Sequence, residues 1–515
     1  MPTLYTALRA QHRHTIAVPA PHVPWPAQKY RFEGNKPILA SEQFLLQEFA
    51  HGRVPKEKKP TPDRKVAIVG AGLAGLCAAY ELRGLKYSVI VYEAREEVGG
   101  RVRSIKDFIP GKTVEGGGEL IGSNHPLWNS YKRHFRLEFS DVKDYGNSPV
   151  RFGKHTLTFE ESQKLTDELE KQLKALTQLA ESIVDPFEPW TNPNATRLDA
   201  VSYGDWVRKA RCSERCRAAL ENMLAADNGV PVDEQSLLGV LAMVKGGGLD
   251  RFWTDTEVFR CRNGNQQLAE RFAAALNRKP GTVITGAAVK SVSRRDEKLW
   301  LDLAHSKGSA GSPTPDPFDD VILAIPSSVW SNIVFEDEDV AASLRNPPKT
   351  GKNVKYLMRL RDRFWEDFSS SPTLSEDGPV DLTWETTEDD KTGDFALVAF
   401  SGADDAEQCS KWKAGERKRR YASKMQAAHP GIGRQIGRDK FMDWPNERWS
   451  KGSYYFPRVN EVTKWGPFWK AGHGGWLHFA GEHTCYAFMG YMEGALSSGY
   501  RVARRIAVRD GLFPA

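Results

Sequence analysis

The chain has 515 residues, with 72 Lys and Arg against 66 Asp and Glu, and its formal net charge of +6 is spread along the sequence with no basic stripe, so nucleic acid is not an expected partner. Its length exceeds what one hydrophobic core serves, which predicts two closely associated domains, and it lacks the apolar run of about eighteen residues that a membrane span requires. Six cysteines, at 77, 212, 216, 261, 409 and 485, give neither a disulfide framework nor paired CxxC spacing, and no metal site is expected.

The opening stretch, MPTLYTALRAQHRHTIAVPAPH, holds no apolar segment leading to a small-residue cleavage site, so a cytoplasmic location is the expectation. It continues to VPKEKKPTPDRK, whose prolines and like charges discourage regular structure and predict an extension over residues 1–63 that wraps or links. KVAIVG (65–70) then reads as a strand, LCAAYELRGL as a helix and SVIVYEA (88–94) as a second strand, which together make one βαβ unit.

Between strand and helix lies GAGLAG. Gly70 permits the tight turn, Gly72 lets the backbone approach a pyrophosphate, and Gly75 allows the helix to pack on the strand. The helix N-terminus, from about Ala74, faces the phosphates with unpaired N–H groups. Glu93 ends the second strand at the roughly twenty-residue distance expected of a carboxylate that meets ribose hydroxyls, and both NAD and FAD fit so far. The next segment, AREEVGGRVRS, decides for FAD: Ala94 and Arg95 continue from Glu93, Gly99 and Gly100 allow close approach, and Arg101 and Arg103 can meet the diphosphate. TVEGGGELIG adds Gly116, Gly117 and Gly118, leaving room for something flat and large, and its Glu115 is the carboxylate expected to be ordered by Arg101 or Arg103.

Residues 155–187 place Leu and Ile at helical spacing among Glu and Lys, and helical pattern resumes over Cys212–Met223, predicting a helical insertion. NQQLAERFAAAL reads as helix, VITGAAVKSVSRR and KLWLDLA as strands, HSKGSAGSPTPDPFDD as a polar loop and VILAIP as a strand. KNVKYLMRL, DLTWETT and FALVAFSG read as a second sheet, and HFAGEHT, a glycine-rich turn and the helix EGALSSGYRVARRIAV close the chain. The predicted fold is α/β: a Rossmann-type FAD-binding domain with a discontinuous substrate-binding α+β domain and a helical insertion. Its expected parts are an extension (1–63), FAD-binding segments (64–123, 255–335 and 441–515), a helical substrate region (124–254) and a substrate-binding domain (336–440).

Taken together, GAGLAGL with Glu93, EVGGRVRS, EGGGELIG, FRCRNGNQQLAERF, VILAIP and FAGEHTCYAFMGYMEGALSSG make the chain resemble the flavin monoamine oxidase superfamily from about Arg64 to Arg505. That group contains monoamine oxidases, polyamine oxidases and L-amino-acid oxidases, and the likeness is greatest to the last. The resemblance implies FAD held by Gly70, Gly72, Ala74, Gly75, Glu93, Ala94, Arg95, Gly100, Arg101, Gly117, Gly118 and Glu119, with the Val289 backbone at the adenine. Gly481 and Glu482 would sit over the second phosphate and ribityl chain, and Gly490, Tyr491 and Met492 would bring a helix N-terminus to the flavin. It further places Lys355 where family members hold a water beside the flavin, and Tyr454 and Tyr491 as two aromatic walls of the reacting site. Ser453 stands where monoamine oxidases carry the flavin-linking cysteine, so FAD is expected to be non-covalent.

The implied reaction is hydride loss from the carbon bearing the amine, hydrolysis of the imine to a carbonyl compound and ammonia, and reoxidation by dioxygen with release of hydrogen peroxide. Deprotonation of the substrate ammonium before hydride loss makes turnover rise with pH. L-Amino acids, giving 2-oxo acids, are the first expectation and a primary amine or polyamine the alternative. Leu120 occupies the place where many L-amino-acid oxidases carry an arginine for the substrate carboxylate, so another donor is required there. Trp384 and Glu385 are pocket candidates, and Glu119 or Glu385 could instead meet a second amine. A homodimer is compatible with the resemblance.

Overall fold

The computed structural model describes residues 5, 8, 64–142, 148–305, 312–314, 316–366, 370–387 and 393–512. The expectation for residues 1–63 lies outside these, save for Tyr5 and Leu8, which are buried.

Strand β1 (Lys65–Val69) leads into helix α1 (Leu73–Gly84) and returns as β2 (Ser88–Tyr92). Three later strands join these two: β3 (Val283–Ile284), β4 (Asp320–Leu323) and, near the end of the chain, Leu477–Phe479. The five form a parallel sheet in which β1 lies between β2 and β4, with Val66 opposite Val89 on one side and Asp320 on the other. Val66, Ala67 and Ile68 are fully buried. This is the pattern of a parallel strand covered on both faces, and it is why β1 and β4 read as unbroken apolar runs. Asp320 pins the sheet to its surroundings, accepting hydrogen bonds from Arg64 (2.9 Å), His478 (3.0 Å) and Arg509 (2.6 Å). Burial opposes its charge, but the bonds from His478 and Arg509 hold its carboxyl well below the usual range.

The helical segment contains α2 (Phe159–Ala180), α3 (Glu214–Asn228) and α4 (Leu237–Gly246). Helix α2 begins later than the apolar pattern suggests, because Thr158 and Glu161 form a reciprocal capping box with backbone bonds of 3.2 and 2.9 Å. The preceding His155–Thr156 pairs as a short strand with Val150–Phe152 instead. Helix α3 runs five residues beyond Met223 and stops at Gly229, whose φ of 65° supplies the left-handed cap.

A second sheet has seven strands. Its core is β5 (Asn353–Leu360), β6 (Leu382–Glu385), β7 (Phe395–Gly402) and β8 (Asp439–Asp443), ordered β8-β5-β7-β6. These pairs are antiparallel, with Lys355 opposite Phe400 and Met442. The strand Leu477–Phe479 then returns the chain to the parallel sheet, and α5 (Met492–Arg509) packs along α1. Gly499 permits that crossing, since a Cβ there would lie 2.2 Å from the Ala74 carbonyl. At its other end α5 is tied down by Glu493, which accepts the Leu127 and Trp128 N–H groups at 2.9 Å each. Among the described residues no helix is long and apolar enough to cross a membrane.

Candidate active site

One cavity runs from the glycine loop after β1, across the start of α5, to β5, β6 and the end of α3. Of the site residues predicted from the sequence, Gly75, Arg103, Glu115, Gly116 and Glu385 do not line it; the others do. Gly75 lies behind the loop, where a Cβ would meet the Gly70 carbonyl at 2.0 Å.

At the glycine-loop end, α1 starts after an extended Gly72 with no capping side chain and no acidic residue in its first turn. Its first N–H groups are therefore left for an anion. Gly70 holds the turn at φ 106°, and a Cβ on Gly72 would meet nothing within 4 Å, so the loop is open toward the cavity. Glu93 is fixed by the N–H groups of Ala71 (2.8 Å) and Arg95 (2.9 Å); burial pushes its carboxyl up and these bonds counteract the push. Each oxygen keeps acceptor capacity for hydroxyl groups. Arg101 donates to Glu482 (2.7 Å) and to the Ser453 carbonyl (2.8 Å), while Glu482 also accepts from the N–H of Gly490 (3.0 Å). An uncapped helix start, an open glycine face, a ribose-type carboxylate and a lining arginine fit a dinucleotide diphosphate and its ribose.

Glu115 departs from its expected role. It is ordered not by Arg101 or Arg103 but by the Asn265 N–H (2.6 Å) and the Ser104 hydroxyl (3.0 Å), and burial pushes it up to about 7. The two-stranded hairpin of Ser104–Ile109 and Lys112–Glu115 turns this carboxylate toward the start of the Gln266–Leu276 helix, whereas Arg103 approaches Glu97 at 3.7 Å.

At the far end, Lys355 Nζ donates to Glu119 Oε2 (2.8 Å), the Gly117 carbonyl (2.8 Å) and the Glu115 carbonyl (3.4 Å), and lies 5.3 Å from the Trp384 ring centre. Glu119 Oε1 also accepts from Arg260 Nε (2.9 Å) and Trp384 Nε1 (2.9 Å). Burial alone would raise the Glu119 carboxyl, yet Lys355 and Arg260 hold it at about 2. It is held ionised by two protein cations, so its charge needs no substrate amine to balance it.

Glu385 is likewise corrected. Successive strand residues face opposite sides, so with Trp384 turned to the cavity Glu385 points away. Fully buried, it pairs with Arg363 through bonds of 2.8 and 2.7 Å.

Tyr454 and Tyr491 both line the cavity, and burial pushes both phenols up. The Tyr454 ring rests on Gly490, where a Cβ would lie 3.1 Å from it, and its hydroxyl donates to the Asp227 carbonyl. Tyr491 caps α5 and meets His125 edge-on at 5.4 Å. The Ser453 hydroxyl donates to Asn353 Oδ1 at 2.6 Å.

Sequence reasoning missed Asp227. It lines the cavity on the last turn of α3, its Oδ1 is enclosed without a hydrogen-bond partner, and burial pushes its carboxyl up to about 7. A carboxylate at a helix C-terminus opposes the helix dipole, and that misplacement in AADNG was the available signal.

Residues 73–507 match the family model described as flavin containing amine oxidoreductase. A putrescine oxidase of Kocuria rosea is 26% identical over 427 residues, covering 76% of this chain and 84% of the relative. An L-amino acid dehydrogenase of Synechocystis is 24% identical over 471 residues, covering 87% and 95%. In fold, the chain superposes on putrescine oxidase bound to putrescine with a TM-score of 0.76, at 24% identity, over 87% of this chain and 100% of the other.

Proposed function

Because this chain belongs to the flavin-containing amine oxidoreductases and uses FAD, we propose that it is an oxidase of small amines that carry a second cationic group, acting with dioxygen as acceptor. The observation that carries this reading is Asp227, whose enclosed carboxyl oxygen lacks a protein partner in the same cavity as Tyr454 and Tyr491. An ammonium group in the cavity beside this carboxyl would balance its charge.

Among the described residues a substrate carboxylate has no comparable partner. Of the cations lining the cavity among the described residues, Arg95 is held by Glu447 and the Gly100 carbonyl, Arg101 by Glu482, and Lys355 by Glu119. Leu120 is buried and apolar at the place where an arginine would serve. The L-amino-acid reading is supported by the Synechocystis relative, but it would have to break one of these pairs at a cost of several kcal/mol.

When bound, the flavin supplies the two-electron acceptor for hydride loss from the carbon next to the amine. In this proposal Tyr454 and Tyr491 position the neutral amine and exclude water, and Asp227 holds the distal ammonium so that the substrate enters in one orientation. Comparing an amino acid with its own decarboxylation product tests the reading. Putrescine is expected to exceed L-ornithine in kcat/KM, measured by peroxide release, by more than about tenfold, because only the amino acid brings an unpaired carboxylate. A preference for L-ornithine would refute it.

The same reading holds FAD without a covalent bond. No cysteine or histidine is among the described residues that line the cavity, and the Ser453 hydroxyl is committed to Asn353. Acid precipitation of the holoprotein should leave the yellow colour wholly in the supernatant; colour retained in the pellet would mean a covalent link.

A further inference from the structure

Glu119 is the centre of a buried row of charge. Its side chain, 3% exposed, joins Lys355, which is 7% exposed, to Arg260, which is 9% exposed. Trp384 supplies a third donor to the same carboxylate, and Arg260 continues to the Glu385 carbonyl at 3.2 Å. The Glu385 carboxylate is spent on Arg363 and balances neither cation of the row. Glu119 is a direct counter-ion of both Lys355 and Arg260. Lys355 and Glu119 line the cavity with Gly118 and Met492, at the start of α5. A cofactor reduced in that part of the cavity gains negative charge beside this row.

We propose that Glu119 is a positioning and charge-balancing residue of the redox centre: it fixes Lys355 against the Gly117 wall and sets the reduction potential of the bound flavin by offsetting the positive charge of Lys355 and Arg260. Glu119 then does its work through Lys355 and Arg260, with no contact to substrate. A positive charge near the ring favours the reduced flavin, so the sign of each substitution follows from the charge it removes. Glu115 lies close by, and because Glu119 raises its carboxyl and Lys355 lowers it, its ionisation shifts against each single substitution and reduces the size of the expected shift without changing its sign.

The test is the two-electron reduction potential of the holoprotein, measured by equilibration with a reference dye at one fixed pH. Glu119→Gln should shift it upward and Lys355→Met downward, and the double variant should return near the wild-type value because one carboxylate and one cation leave together. A residue that served packing alone would lower the melting temperature without opposite shifts or mutual rescue. Should Glu119→Gln fail to retain flavin, Arg260→Met takes its place and must shift the potential downward, as Lys355→Met does. Shifts of one sign for Glu119→Gln and Lys355→Met, a double variant no nearer wild type than either single, or an unshifted Arg260→Met would overturn the inference. It rests on the flavin reading of the cavity, and the two fail differently: a preparation with no visible flavin band refutes that reading, whereas bound flavin indifferent to these substitutions refutes only the role of Glu119.

Discussion

Asp227→Asn should lower kcat/KM for an alkyl diamine by about 10²-fold, the loss expected when a buried ammonium is deprived of its carboxylate. A monoamine of similar length, having no distal ammonium, should change by no more than a few-fold. The pH profile supplies a second readout. With its carboxyl pushed up to about 7 by burial, Asp227 is largely neutral below that pH and charged above it. Diamine kcat/KM should therefore climb as pH rises through about 7, and Asp227→Asn should abolish that step while leaving the rise due to deprotonation of the reacting amine. Stability should move the opposite way. A carboxyl whose folded pKa is raised favours the protonated state of the native protein, so its ionisation costs stability as pH rises from its ordinary range through about 7. Asp227→Asn should accordingly melt at a higher temperature than wild type at pH 8. An unchanged diamine profile in a folded variant would remove Asp227 from substrate binding.

Arg101→Met should weaken FAD binding by about 10²-fold, measured by fluorescence titration of the apoprotein. Two effects add. The diphosphate loses the lining cation, and Glu482, 5% exposed, is left with a negative charge that Arg101 had paired at 2.7 Å. Glu482 also holds the Gly490 N–H, so the turn into α5 loosens with it. Arg101→Lys should recover only part of the loss, because a single ammonium does not reproduce the fork that reaches Glu482 and the Ser453 carbonyl from one nitrogen while presenting others. An affinity within threefold of wild type would place the diphosphate elsewhere.

The glycine loop and Glu93 were legible in the sequence because their roles are local. Gly70 and Gly72 are shaped by a turn of a few residues, and Glu93 meets Ala71 only 22 positions away. Strands β1, β2 and β4 to β7 were legible for a related reason, since strands buried on both faces leave apolar runs such as VILAIP, whereas β8 and the short strands Val150–Phe152 and His155–Thr156 were not read as strands. Charged side chains were not legible in this way. Glu119 and Glu385 looked available to a substrate amine because Arg260, 141 residues from Glu119, and Arg363 on another segment are brought to them only by the tertiary fold. Glu115 was assigned to the nearest arginines in sequence, whereas its partners are the Asn265 backbone and Ser104. Asp227 was overlooked because an acid at the end of an amphipathic helix reads as a solvated residue; only the placement of α3 beside Tyr454 and Asn353 encloses it. The recurrent error was to read pairing from sequence distance.

The central claim is that this cavity holds a flavin that a cationic amine reduces. Anaerobic titration of the purified holoprotein with putrescine tests it most directly. The visible flavin band should bleach fully with putrescine and return on admission of air with release of hydrogen peroxide. A band that putrescine and other amines leave untouched, while an L-amino acid bleaches it, would contradict the account.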